Sequence, residues 1–173
     1  MKLLNAVARQ YTQGKFKPRN PQKYVGDPTD IVFRSSWELK YSSWCDLNPN
    51  VIQWSSETVV INYIKPTDGR VHRYFVDYWM KIKDKQGNII TYLVEVKPYA
   101  QTQPPVMSKR KKQSTLVEEA NTFLINQAKW KYCREYCAKR GWKFIIITEK
   151  ELGLTKWLFF IWWEPGINSR LSY

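Results

Sequence analysis

The spacing of apolar residues changes several times along the chain, and each change predicts an element. Trp37, Tyr41 and Trp44 recur at helical intervals behind Ser35-Ser36-Trp37-Glu38. A hydroxyl followed three residues later by a glutamate is a capping-box pattern, so a helix should open at Ser35 and stop near Asn48-Pro49-Asn50. Val51 to Ile64, rich in β-branched residues, reads as strand, and Pro66-Thr67-Asp68-Gly69 as a turn. Two further apolar runs, Tyr74 to Trp79 and Tyr92 to Lys97, flank Asp84-Lys85-Gln86-Gly87-Asn88. This predicts a β-hairpin centred on Gln86. Pro98 ends its second strand, and Tyr99 to Ser114 reads as a loop. Thr115-Leu116-Val117-Glu118 is a second capping pattern, opening a long helix through Phe123, Trp130, Cys133 and Tyr136 to a glycine stop at Gly141. Trp142 to Thr148 is then a strand, and its unbroken Phe144-Ile145-Ile146-Ile147 suits a sheet covered on both faces. The order helix, three strands, long helix, strand predicts an α/β fold with a mixed sheet flanked by helices.

Three charges interrupt the hairpin runs: Asp77, Glu95 and Lys97. Pairing centred on Gln86 sets Asp77 opposite Glu95. The two-residue strand period puts Lys97 on the face of Glu95, with Val76, Tyr78, Val94 and Val96 pointing to the other. Two carboxylates about 5 Å apart repel by roughly 3 kcal/mol at an effective dielectric of 20, so a cation should offset them. Lys97 supplies one positive charge. A divalent hard cation is the usual partner of converging oxygens, and Mg²⁺ suits a site with few protein carboxylates and room for water. The competing reading is a structural Asp/Glu/Lys network on a sheet face.

Charge narrows the choice of partner. Lys and Arg number 28 against 15 Asp and Glu, a net charge of +13, which points to a polyanion without separating DNA from RNA or an anionic membrane. Two segments concentrate the excess. Residues 1–26 carry six Lys and Arg and no acidic residue, and read as a flexible basic arm; Lys109-Arg110-Lys111-Lys112 lies in the predicted loop. Residues 27–150 form the predicted domain. Residues 151–173 form an apolar extension, either an extra strand or a docking segment. Its longest apolar run, Trp157 to Trp163, is far short of the roughly 18 residues that span a bilayer, so no membrane association is expected. Cys45, Cys133 and Cys137 fit no disulfide framework and imply synthesis in a reducing compartment. With His72 the single histidine, a zinc site lacks donors, and the cysteines read as packing residues.

A helix bearing Glu38, a strand bearing Asp77, a strand ending in Glu95-Val96-Lys97 and then a helix together resemble the PD-(D/E)xK nuclease superfamily over about residues 33–148. The segments Phe33-Arg34-Ser35-Ser36-Trp37-Glu38 and Gly141-Trp142-Lys143-Phe144-Ile145-Ile146-Ile147-Thr148-Glu149 are similar to those of the TnsA-like transposase endonucleases. As a whole the chain resembles nucleases that act in head completion of large contractile-tailed phages. The resemblance implies a restriction-endonuclease-like core and Mg²⁺-dependent hydrolysis of DNA, with Mn²⁺ as an alternative ion. It implies Asp77 and Glu95 as metal ligands, with Glu38 as a further or water-mediated one, and Lys97 positioning the attacking water. Phage head, portal or neck proteins would be partners, and the host cytoplasm or the virion the location. Gln127 stands where relatives carry a helical glutamine, but position 131 is Lys rather than Tyr. Lys131, Arg34 and Lys109 to Lys112 are then candidate DNA-backbone contacts.

Two alternatives remain: a non-catalytic DNA-binding protein of the phage head or neck on a nuclease-like scaffold, and a hydrolase acting on RNA, since phosphate contacts do not report the sugar.

Overall fold

The computed structural model describes residues 13–108 and 110–153. Its centre is a four-stranded mixed sheet in the order β3-β6-β7-β8, formed by Val51–Ser56, Tyr78–Lys83, Ile89–Val96 and Lys143–Ile147. Strand β6 runs antiparallel to both of its neighbours, β3 and β7, and β8 runs parallel to β7. A parallel neighbour needs a long crossover, and the long helix, Gln113–Ala138, supplies it.

The hairpin register is the one centred on Gln86, from Tyr78 opposite Val94 to Lys83 opposite Ile89. Asp84 closes the turn: its backbone N–H donates to Asn88 O and its side chain accepts from Asn88 N at 2.8 Å. Gly87 takes the positive φ of 89° that the bend requires.

Both faces of the sheet are covered. On one lie Tyr78, Met80, Tyr92, Val94, Val96 and Ile147, packed with Trp54 and with Tyr41, Trp44 and Cys45 of the first helix, α1 (Ser36–Leu47). On the other lie Leu93, Val76 and Phe144, packed with Cys133 and Cys137 of the long helix. All three cysteines are free and buried. Helix α1 starts where its sequence pattern says, with Ser35 at the cap accepting from Glu38 N at 3.1 Å.

The run Val51 to Ile64 is two strands, not one. It breaks at Glu57, the one non-glycine residue with positive φ (55°) among the described residues, and resumes as β4 (Val60–Ile64). The run Tyr74 to Trp79 breaks likewise, between β5 (Val71–Phe75) and β6. Strands β4 and β5 pair as a separate ribbon. Between Ser56↔Tyr78 and Val60↔Phe75, residues 57–59 on one strand oppose only Val76 and Asp77 on the other. This is a bulge, and one extra residue reverses the faces beyond it. Val76 therefore packs with Leu93 rather than beside Tyr78, against the expectation of a single alternating strand. Two backbone bonds hold the corner, Glu57 N to Asp77 O at 3.1 Å and Val76 N to Val59 O at 3.0 Å.

Three other expectations need correction. Residues 13–26 are not a free arm: β1 (Gly14–Phe16) pairs with β2 (Ile31–Phe33), and Tyr24 packs edge-on against Trp54 at 4.8 Å. The buried Asp46 carboxylate accepts from Arg19 N at 2.7 Å and Asn20 N at 2.9 Å, anchoring the segment at the end of α1. Residues 1–12 lie outside the described residues, as does the apolar run from 154 onward. The segment after Pro98 is not wholly loop, since Tyr99–Thr102 makes one helical turn, α2, tied through Tyr99 N to Glu149 Oε2 at 2.7 Å. The long helix, α3, opens at Gln113 rather than Thr115 and has no side-chain cap. Helical bonding has already begun at Lys112 O, so Thr115 lies inside the first turn where no cap is needed. Its far end does stop at Gly141 (φ 66°), where Trp142 N bonds Cys137 O at 3.0 Å in a Schellman pattern. After β8 a short helix, α4 (Glu149–Gly153), ends the described chain.

If Asp46 is the anchor of residues 13–26, Asp46→Ala should lower stability by about 2 kcal/mol, the scale of hydrogen bonds to a charged group. Limited proteolysis should then nick the chain between residues 13 and 24 while the rest stays protected. An unchanged melting temperature and digest would show that the anchoring lies elsewhere.

Candidate active site

The bulge decides where Asp77 goes. The β6–β7 ladder ends at Tyr78↔Val94, so Asp77 stands one step beyond it, and its Oδ2 accepts from Val96 N at 2.8 Å. Its carboxylate is thus fixed against β7 at the step that Glu95 occupies. Glu95, 1% exposed, has its Oε1 3.0 Å from Lys97 Nζ. Its Oε2 accepts from Tyr74 Oη at 2.5 Å. Lys97 continues the β7–β8 ladder, its N–H donating to Ile147 O at 2.9 Å, so backbone pairing sets the position of the lysine too. The three side chains predicted to share a face do converge.

Their electrostatics follow from two acids and one amine in a partly buried setting. Burial, and then the neighbouring Glu95, push the Asp77 carboxyl well above its ordinary range; Lys97 and the Val96 N–H pull the other way without reversing it. Burial works against the charge of Lys97, but Asp77 and Glu95 overcome it and raise its pKa. The Tyr74 phenol is raised by burial and by Glu95, so it stays protonated and donates to that acid. Negative charge is in excess.

Glu38 is close, yet its carboxylate is engaged by its own helix. Oε1 accepts from Ser35 Oγ at 2.9 Å and Oε2 from Arg34 N at 2.8 Å, so both oxygens serve the cap. Tyr78 Oη donates to Glu38 O at 3.0 Å and holds this turn beside Asp77, whose pKa Glu38 helps to raise. Among the described residues, no three His, Cys, Asp or Glu side chains stand preassembled around one point. Arg34 is exposed and ion-paired with Glu57, the bulge residue. Gln127 is half-buried and Lys131 exposed on α3. Of the basic run, Arg110, Lys111 and Lys112 are exposed where α3 begins, and Lys111 pairs with Glu119 at 2.7 Å. Lys109 lies outside the described residues.

Two site residues escaped the sequence reading. Tyr74 reaches Glu95 from the β4–β5 ribbon because the bulge folds that ribbon back. Lys129 approaches from α3, its ammonium 5.4 Å from the Tyr74 ring centre and 5.8 Å from that of Tyr63. Burial lowers its pKa, while Glu95 and Asp77 pull it up. At about 100° per residue, Lys129 lies roughly half a turn from both Gln127 and Lys131, so the helix face turned to the acids is not theirs. A tyrosine within a strand pattern and one lysine among several on a helix carry no local signal of either role.

Asp77 and Glu95 on paired strands, Lys97 two residues after Glu95 and the start of α1 beside them make up the geometry of the site. The family described as TnsA-like endonuclease N terminal matches residues 48–149, from the end of α1 through β8. The chain belongs to this TnsA-like endonuclease family. It is also 42% identical over 142 residues to the Head completion nuclease of Enterobacteria phage T4, covering 80% of this chain and 92% of that protein. The family match contains Asp77, Glu95 and Lys97 and begins after Glu38.

The raised Asp77 pKa has a measurable sign. An acid that holds its proton more tightly when folded favours the fold at low pH. That contribution is lost as pH rises from about 4, the ordinary value, through the folded-state value. In chelator, Asp77→Asn should therefore melt a few degrees above the parent at pH 7–8, since about 1 kcal/mol moves the midpoint by roughly 2–4 °C at this size. The gap should close toward pH 4. Parallel pH profiles for the two proteins would exclude Asp77 as the strained charge.

Proposed function

We propose that this protein is a divalent-metal-dependent DNA endonuclease of the PD-(D/E)xK type, acting in phage head completion after packaging. The observation that carries the reading is the convergence of half-buried Asp77 and buried Glu95 under one compensating lysine. Hard oxygen donors with surplus negative charge fit Mg²⁺, or Mn²⁺, and a carboxylate oxygen that accepts one hydrogen bond keeps a further lone pair. Asp77 and Glu95 would hold the ion. Glu38 would join through water, or directly if the cap at Ser35 opens.

A bound divalent ion supplies Lewis acidity at the scissile phosphate and a more acidic water. The chain supplies the rest. Asp77, pinned by Val96 N, and Glu95, pinned by Tyr74, fix the coordinating oxygens before substrate arrives. Lys97, kept charged by the two acids, is a cation at the reacting phosphate rather than a base. It can orient the attacking water and offset charge developing on the phosphate oxygens. The net charge of +13 supports a nucleic-acid substrate, and the family supports DNA. The role in head completion rests on the T4 relative's name, as does a partnership with head, portal or neck proteins and a place in the infected host's cytoplasm or the virion. No helix among the described residues is long and apolar enough to cross a membrane.

Supercoiled plasmid tests the reading. The parent should nick or linearise it with Mg²⁺ or Mn²⁺ and be inert in chelator. Glu95→Gln and Lys97→Met should each lose cleavage by on the order of 10²-fold or more, as for loss of one charge-stabilising group. Both should keep salt-sensitive DNA binding, because many lysines and arginines share the phosphate contacts. Variants that cut like the parent would remove these residues from the active site. A parent that binds DNA but never cuts it would favour the non-catalytic scaffold.

A further inference from the structure

We propose that Lys129 is a substrate-contacting residue of this site, presenting its ammonium from α3 to a DNA backbone phosphate beside the one at Lys97. The inference rests on the endonuclease reading for its placement at the scissile strand, but not for the DNA contact itself.

Lys129 is half-buried, with its Nζ near the ring faces of Tyr63 and Tyr74. Among the described residues, no carboxylate lies within ion-pairing distance of it. Two ring faces return little to a partly exposed cation, and withdrawing an ammonium from water works against that gain. Packing alone would be met better by an apolar residue. The missing partner is an anion. It is not Glu95, whose two oxygens already face Lys97 and Tyr74. The Tyr74 ring both orients Glu95 and lies against Lys129, so the ammonium is held beside the acids without neutralising them. A phosphodiester engaging the acids through a divalent ion would bring further non-bridging oxygens between Lys97 on β7 and Lys129 on α3. Cations from two separate elements would then hold the strand from both sides.

The test uses the full chain, a labelled random-sequence duplex and chelator, so that binding is read without cleavage. Lys129→Met should weaken binding several-fold near 100 mM salt. It should also reduce the slope of log K against log salt by about one, the signature of one lost phosphate contact, with a melting temperature no lower than the parent's. Lys129→Arg should keep the slope. With Mg²⁺, Lys129→Met should further lower kcat/KM on plasmid by at least tenfold. A parental slope and affinity in Lys129→Met would overturn the proposal, as would a slope lost equally in Lys129→Arg. If the parent itself fails to cut DNA, the endonuclease reading falls, while the slope still decides the Lys129 contact on its own.

Discussion

One backbone irregularity sets the site: three residues, 57–59, facing two, Val76 and Asp77, at the corner where the β3–β6 pair turns into the β4–β5 ribbon. A continuous ladder would have left Asp77 an ordinary rung and kept Tyr74 in the plane of the sheet. The bulge instead delays the start of β6 to Tyr78 and fixes the freed Asp77 carboxylate on Val96 N. It also folds the ribbon so that Tyr74 meets Glu95 from above. A bulge beside functional side chains is a common way of re-aiming them. Here it brings two acids to the same step of paired strands, one of them buried and the other half-buried.

Everything around the acids answers that crowding. Lys97 balances one charge, Tyr74 donates to the acid that Lys97 does not saturate, and the first turn of α1 is held near by Tyr78. The residual excess shows in Asp77, whose pKa is pushed up by burial and by Glu95. A fold optimised for stability alone would not keep that arrangement, and strain of this kind gathers where chemistry is done. The cap formed by Glu38 serves the same end. By engaging both oxygens with Ser35 and Arg34, it fixes the helix start beside the sheet without adding a third free carboxylate to a site already rich in negative charge.

Features set by short-range rules were legible in the sequence. The hairpin register needed only the turn residues around Gln86, and every pair from Tyr78↔Val94 to Lys83↔Ile89 follows it. The Ser35 cap, the Gly141 stop and the doubly covered β8 were equally local, since each depends on residues a few positions apart. The bulge was not legible, because Val59-Val60-Ile61 continues the β-branched pattern across the break and nothing nearby demands a positive φ at Glu57. The same blindness placed Val76 on the wrong face. Thr115 failed as a cap because the pattern fits many mid-helix positions as well. The folding of residues 13–26 depends on Asp46, more than 20 positions away, and composition carries no trace of such a contact. Tyr74 and Lys129 were missed for that reason too: each acts across the tertiary fold.

The direct measurement is an experimental structure of the protein with Mn²⁺, located by its anomalous signal. Shared ligation requires one ion with oxygens of both Asp77 and Glu95 at about 2.1 Å, the remaining positions being water or Glu38 through water. An ion on one acid alone, or on the surface away from the β6–β7 hairpin at concentrations that support cleavage, would contradict a shared metal site built by the bulge.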